Sequence, residues 1–381
     1  MAFPDKPIAH LLGSNGPVHA LAYSASPGTY ILAGSADRSV RLYNPQPSSD
    51  AAVAGAKLSS HITKKSSGSG AVAVAVAVPE GRLIQAYSAH GYEVLSLSVA
   101  ADNARFASAG GDRAVFLWDV TTAQTVRRFG SGGGPGAHQA RVNCVAFAGD
   151  GDSLLVSGSV DRSVRVWDLR AGGGPGAKPV QVLDDARDAV SAVAVRGPEI
   201  VAASVDGRVR SYDVRAGRRL TDVVGPPVTS LCLTRDGRAA LVGALDSRLR
   251  LMDRDTGACL RTYTDPAWRN EDLRLQSLLG AKEQYVLAGD EMTAPADPAA
   301  PPARNGEGRI WAWDVLSGEL KAKVAVPWGP AGYEPKKFVG KDGKPKNRSN
   351  VLSCFAWREN GFGDQFCVSG TSGIVTVFGY H

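Results

Sequence analysis

SGSVDRSVRVWD, residues 157–168, recurs along the chain with little change. It stands as AGSADRSVRLYN at 33–44, SAGGDRAVFLWD at 108–119, AASVDGRVRSYD at 202–213 and VGALDSRLRLMD at 242–253. Two weaker copies, GEGRIWAWD at 306–314 and SGTSGIVTVFG at 369–379, bring the number to seven. Each copy joins a run of small residues to a turn and then to an alternating apolar run, which reads as a β-hairpin. The turn positions 112, 161, 206 and 246 are 49, 45 and 40 residues apart.

A period of about 40–45 residues is that of WD repeats, four strands to a blade. The strand missing from each hairpin lies upstream as another β-branched run: VHALAYS at 18–24, VLSLSVA at 94–100, VNCVAFA at 142–148, VSAVAV at 190–195 and VTSLCL at 228–233. The outer strand follows the hairpin. The fold class expected is therefore all-β: one seven-bladed WD-repeat β-propeller over residues 1–381, since a closed ring leaves only short edges. The last copy ends at Gly379 without an outer strand, and residues 8–12 precede the first blade without a partner. Pairing these two closes the ring. Longer intervals imply loop insertions at 46–81, 291–305 and 327–350, of which the first includes a strand-like AVAVAVAV run and the second is proline-rich.

The 381 residues are 44% hydrophobic and 21% charged, which permits a packed core and excludes wholesale disorder. The longest apolar run, 71–78, falls far short of the roughly 20 residues of a membrane helix. The opening MAFPDKPIAH lacks a secretory pattern, so a soluble intracellular chain is expected. Cys144, Cys232, Cys259, Cys354 and Cys367 form no Cys-x-x-Cys pair and read as buried, reduced thiols. His10, His19, His61 and His381 show no metal-ligand spacing, and GSGGGPG at 130–136 reads as a linker rather than a phosphate loop. No cofactor, metal or small-molecule substrate is expected. The net charge of +6 is concentrated in Lys336, Lys337, Lys341, Lys344, Lys346 and Arg348, opposed by Glu334 and Asp342. With Tyr333 and Phe338 interleaved, this basic loop suits salt-sensitive contacts with RNA phosphates, ordering on its partner.

His90, Ser108 and Asp112 have the residue types of a hydrolase triad, and His138, Ser157 and Asp161 repeat them one blade later. A catalytic triad occurs once, whereas repetition in register marks a structural network, completed here by Trp118 and Trp167. No enzyme is expected, and blades lacking a member of the set are expected to be held more by packing. Outer-to-inner junctions and hairpin turns share one face of a propeller. That face collects Tyr92, Glu93, Arg113, Arg141, Arg162, Arg187, Asp188 and Arg208, a set suited to a protein interface. On the third strands, WDLR at 167–170 and YDVR at 212–215 resemble the WD-x-Arg signature of substrate receptors of cullin-4 ubiquitin ligases. Asp168, Arg170, Asp213 and Arg215 would carry that alternative.

YSAHGYEVLSLS at 87–98, GGDRAVFLWDV at 110–120, LDDARDAVSAV at 183–193, EIVAASVDGRVRSYDVR at 199–215 and LDSRLRLMDRDTG at 245–257 together resemble the mitogen-activated protein kinase organizer subfamily. The opening MAFP fits it as well. The resemblance is dense over residues 82–262 and loose in blades one, six and seven. It implies a seven-bladed scaffold without enzymatic activity, found in nucleus and cytoplasm. Its implied partners are spliceosomal proteins in pre-mRNA splicing and, as a second role, kinases of a mitogen-activated cascade. The three insertions depart from the compact family pattern.

Overall fold

Six of the seven inner strands open on a buried aliphatic residue: Val18, Val94, Val142, Val190, Val228 and Leu352 are each 0–1% exposed. In all six a β-bulge follows immediately, as between Val142 and Cys144, sharpening the twist where the strand enters the ring. The computed structural model describes residues 3–46, 78–130, 136–171, 178–293, 306–335, 349–358 and 364–380, with the backbone of 338–339 and 345–346. Those residues form seven four-stranded antiparallel sheets. The inner strands are Val18–Tyr23, Val94–Val99, Val142–Ala148, Val190–Arg196, Val228–Leu233, Ser277–Gly280 and Leu352–Trp357. Each touches its neighbours, and the first touches the last, so the ring is closed around a central channel.

No blade has a core of its own. Apolar clusters lie between blades, as where Ala107, Leu117 and Phe129 of the second meet Val142, Leu155 and Trp167 of the third. Burial therefore requires the neighbour, which makes the ring rather than the blade the stable unit. Middle strands such as Ala239–Ala244 are wholly buried, whereas the outer strand Arg218–Val223 is largely exposed. Inner strands leave one edge unpaired, and side chains from adjacent blades satisfy it. Ser96 and Ser98 hydroxyls accept the amides of Val145 and Phe147 at 3.1 and 3.2 Å, and Gln276 Oε1 accepts that of Phe355 at 3.1 Å.

The seventh sheet takes its outer strand from the N-terminus. Lys6–Leu11 pairs antiparallel with Val375–Gly379, from Lys6 opposite Gly379 to Leu11 opposite Val375. The described parts of the insertions are tied to the ring at several points. Residues 78–81 are held against the N-terminal strand: the Pro79 carbonyl accepts the His10 amide at 2.9 Å and the Gly81 amide returns to the His10 carbonyl at 2.8 Å. Glu291 is buried rather than part of an exposed insertion. Within 327–350, Phe338–Val339 pairs with Pro345–Lys346 as a short antiparallel ladder. The AVAVAVAV run up to 77 and the segment 294–305 lie outside the described residues. The thiols also divide: Cys144, Cys354 and Cys367 are buried, Cys232 is half-buried, and Cys259 is exposed because it sits on an outer strand.

Candidate interaction face

The amide just past the second strand of a blade bonds to the carbonyl just before its inner strand. The pairs Ala36–Pro17, Gly111–Glu93, Val160–Arg141, Val205–Ala189, Leu245–Pro227 and Thr371–Val351 all obey this at 2.8–3.1 Å. Hairpin turns and inter-blade junctions thus lie side by side on one face. The approach is so close at Gly110 that a Cβ would stand 1.9 Å from the Glu93 carbonyl oxygen.

Beneath this face run the polar networks. His90 Nδ1 is 2.5 Å from Asp112 Oδ2 and its Nε2 is 2.6 Å from Ser108 Oγ. Trp118 Nε1 donates to the same hydroxyl at 2.8 Å, and the Gly91 amide donates to Asp112 Oδ1 at 2.8 Å. In the third blade His138 stands 2.9 Å from Asp161 and 2.8 Å from Ser157, with Trp167 Nε1 donating to Ser157 at 2.9 Å. Since each serine oxygen accepts from an indole, its proton goes to the imidazole, whose Nδ1–H in turn faces the carboxylate. Both serines are 0% exposed, so no substrate reaches either hydroxyl. Burial lowers the His138 pKa, with Asp161 opposing, and the ring is neutral at pH 7. For Asp112 and Asp161, burial raises the pKa but the hydrogen bonds led by their histidines outweigh it, leaving both carboxyls below the ordinary range.

The remaining blades are not left to packing, contrary to expectation. In blades one, four and five an Arg four residues after the turn Asp replaces the histidine. Arg41 reaches Asp37 at 2.8 Å, Arg210 reaches Asp206 at 2.6 Å, and Arg250 pairs with Asp246. Blade three carries both devices, with Arg165 3.8 Å from Asp161. In blade six the buried Asp290 accepts the Trp311 indole N–H at 3.1 Å, and burial holds its carboxyl above the ordinary value. In blade seven Asn350 Oδ1 accepts the Ser372 amide at 3.1 Å. The D-x-x-x-R spacing was visible in the repeats; Asp290 and Asn350 lie off the period.

Of the interface candidates, Tyr92 is 64% exposed. Arg113, Arg141, Arg162, Arg187 and Asp188 are exposed as well, while Glu93 and Arg208 are half-buried. Glu93 stands 3.8 Å from His19. Side chains of Lys336, Lys337, Lys341, Lys344, Lys346 and Arg348 lie outside the described residues. Their flanks are placed: a Cβ on Gly306 would touch Pro335, and the Asn350 amide bonds to the Glu307 carbonyl at 3.3 Å. Both long insertions on this face therefore begin or end beside each other.

The opposite face holds the WD-x-Arg sequences. Asp168 accepts the Arg170 amide at 2.8 Å, and Asp213 accepts the amides of Arg215 and Ala216, each at 2.9 Å. Asp119, Asp253 and Asp314 close the equivalent turns of three other blades in the same way. These carboxylates have a local structural task wherever the repeat occurs. Arg170 and Arg215 point outward, exposed. Among the described residues, no group of three or more His, Cys, Asp or Glu could hold a metal ion.

The family description "WD domain, G-beta repeat" matches residues 5–44, 81–119 and 135–168. WD repeat domain-containing protein 83 of Rattus norvegicus is 40% identical over 152 residues, 40% of this chain and 42% of that protein. The human protein of that name is 36% identical over 152 residues, again 42% of its length. The alignments thus span less than half of these mammalian relatives. The WD repeat domain-containing protein 83 homolog of Dictyostelium discoideum is 25% identical over 343 residues, 83% of this chain and 87% of that one. The chain is a seven-bladed WD-repeat β-propeller, a fold that generally serves as a non-enzymatic scaffold, with modest similarity to WD repeat domain-containing protein 83.

Proposed function

We propose that this propeller is an interaction platform of the spliceosome in pre-mRNA splicing, with scaffolding of a mitogen-activated kinase cascade as its second role. It works in the nucleus for the first and in the cytoplasm for the second. The observation that carries the reading is the exposed Tyr92 set among Arg113, Arg141, Arg162 and Arg187 on one face. A single aromatic amid guanidinium groups has the composition of interface anchors. The resemblance of residues 82–262 to the mitogen-activated protein kinase organizer subfamily supports the choice of partners. The basic segment 336–348 adds RNA phosphate contacts, its flanks opening on the same face. Pull-down of the full chain with mass spectrometry and RNA detection tests this. Splicing proteins and small nuclear RNA are expected with the parent and lost with Tyr92→Ala/Arg187→Glu, which stays folded. A second reading rests on the exposed Arg170 and Arg215 at consecutive strand ends. Capture of cullin-4 and its adaptor, lost on Arg170→Ala/Arg215→Ala, would replace the first reading by that of a ligase substrate receptor.

A further inference from the structure

Among the described residues, a guanidinium at the mouth of the central channel forms no ion pair. Arg274 belongs to the segment before the sixth inner strand, and its Nη2 donates 3.2 Å away to the carbonyl of Asn143, on the inner strand of the third blade. It thus reaches across the ring rather than along it. Arg141 from the second-to-third junction and His19 from the first inner strand stand within electrostatic reach of Arg274. The nearby carboxylate of Glu93 faces His19, at 3.8 Å, rather than Arg274. Arg274 stays exposed to solvent although the channel walls crowd it and lower its pKa.

The segment that carries Arg274 is built rather than loose. Glu291, 5% exposed, accepts the amides of Glu271, Asp272 and Leu273 on one oxygen at 3.0, 2.9 and 2.6 Å. Trp268, fully buried, donates its indole N–H to the Gly289 carbonyl at 2.6 Å. A buried carboxylate and a tryptophan thereby anchor the stretch that ends in Arg274.

Three more guanidinium groups are held on this face at a conformational cost. Arg38, Arg113 and Arg162 occupy the same place in the hairpin turns of blades one, two and three, with φ of 71°, 60° and 69°. Glycine takes that left-handed place in blades four and seven, as Gly207 and Gly373. A side chain is strained there where glycine is not. All three arginines are exposed, and none forms an ion pair among the described residues. Three strained cations on consecutive blades, without an ion pair among the described residues, thus share this face with Arg274.

We propose that this face receives an acidic segment of a protein partner, one carboxylate seated on Arg274 in the channel mouth and others on Arg38, Arg113 and Arg162. A guanidinium fork matches a carboxylate in geometry as well as charge. Single-stranded RNA is the poorer fit, because it needs successive stacking aromatics. Tyr92 is the one exposed aromatic on this face of blades one to five among the described residues. The inference deepens the platform reading above, on which it rests, by stating the chemistry of the bound segment.

Fluorescence anisotropy on the full chain tests it, with labelled hexaglutamate as probe and hexalysine and hexauridylate as comparisons. Arg274→Gln should weaken hexaglutamate binding about tenfold. Arg38→Gly/Arg113→Gly/Arg162→Gly should weaken it at least as much while leaving the melting temperature equal or higher, since glycine relieves the strain. Equal binding by parent and Arg274→Gln, no binding by the parent, or tighter binding of hexauridylate would each overturn the inference. A parent that captures splicing proteins but ignores hexaglutamate overturns this inference alone. Binding of hexaglutamate without capture of any splicing protein keeps it and removes the spliceosomal reading.

Discussion

Asp206 and Arg210 form a two-pronged buried ion pair within one hairpin, with Nη1–Oδ1 and Nη2–Oδ2 distances of 3.3 and 2.6 Å. Their side chains are 8% and 4% exposed, so each charge depends on the other for its solvation. Arg210→Met strands the carboxylate and should lower unfolding free energy by about 3 kcal/mol. Arg165→Met should cost less, because His138 still serves Asp161. Urea denaturation of both variants reads the difference; equal losses would mean that the histidine contributes nothing to Asp161.

Asp112→Ala leaves the buried His90 Nδ1–H without its acceptor, and Asp161→Ala leaves His138 Nδ1–H only the Ser163 hydroxyl, 3.3 Å away. The expected cost is roughly 1–3 kcal/mol apiece. Partner capture should fall only as far as stability does. Should either variant keep its melting temperature and lose a hydrolytic activity, the networks would be catalytic after all.

Acid should act in two steps. Burial holds the His138 pKa in the folded state below the ordinary 6.5 of an imidazole, so the unfolded chain binds that proton first. Stability is then full above pH 6.5 and falls as pH drops below it. Asp37, Asp112, Asp161 and Asp206 are held below 3.8, so their contribution is present above that pH and is lost on further acidification. Asp290 works in the opposite sense: burial raises it, and what it adds fades as pH rises through its folded value. Melting temperatures between neutral pH and pH 4 should show the first step, and His138→Gln should shrink it, leaving the part that His10 and His19, also lowered by burial, contribute in the same sense. A flat profile in the parent would contradict the assignment.

Much of this was legible because it repeats. His90 and His138 gave themselves away by recurring in register with Ser108, Ser157 and the tryptophans, a pattern that catalysis does not produce. Arg41, Arg210 and Arg250 obey a spacing as regular, yet their partnership is recognised only when the hairpin folds the fourth residue back over the first. Glu291 and Trp268 lie in irregular segments where no period guides the eye, and their partners are backbone groups that any sequence supplies. Arg274 was out of reach for another reason. Its partner is 131 residues away on a blade it does not adjoin, so only the closed ring brings the two together. Cys259 was misjudged because outer and inner strands share the same alternation and differ only in what covers them.

Thiol titration separates the five cysteines. Cys259 should react with a thiol reagent at once and Cys232 slowly, while Cys144, Cys354 and Cys367 stay silent until unfolding. Burial pushes the Cys144 and Cys354 thiols up to about 12 and Cys367 higher still, so these three offer no thiolate in the folded state. More than two reactive thiols in the native protein would contradict the burial described.

Replacing Lys336, Lys337, Lys341, Lys344 and Lys346 with Ser should weaken capture of the assembly at low salt and flatten its salt dependence. Folding should be unaffected, because the flanks at Pro335 and Asn350 are anchored independently. Binding identical to the parent's from low to physiological salt would make the stretch a solvated insertion.

The ring is fastened by a contact between positions that the ribosome produces far apart in time. His10 and Thr376, whose side chains approach to 3.3 Å, are separated by 366 residues. At translation rates of about 5–20 residues per second, that is a delay of roughly 20–70 seconds. Throughout that interval Lys6–Leu11, half of it destined for full burial, is a nascent β-strand without its mate. Until the last hairpin emerges its unpaired edge is open to other chains, and the rate of elongation sets how long that exposure lasts.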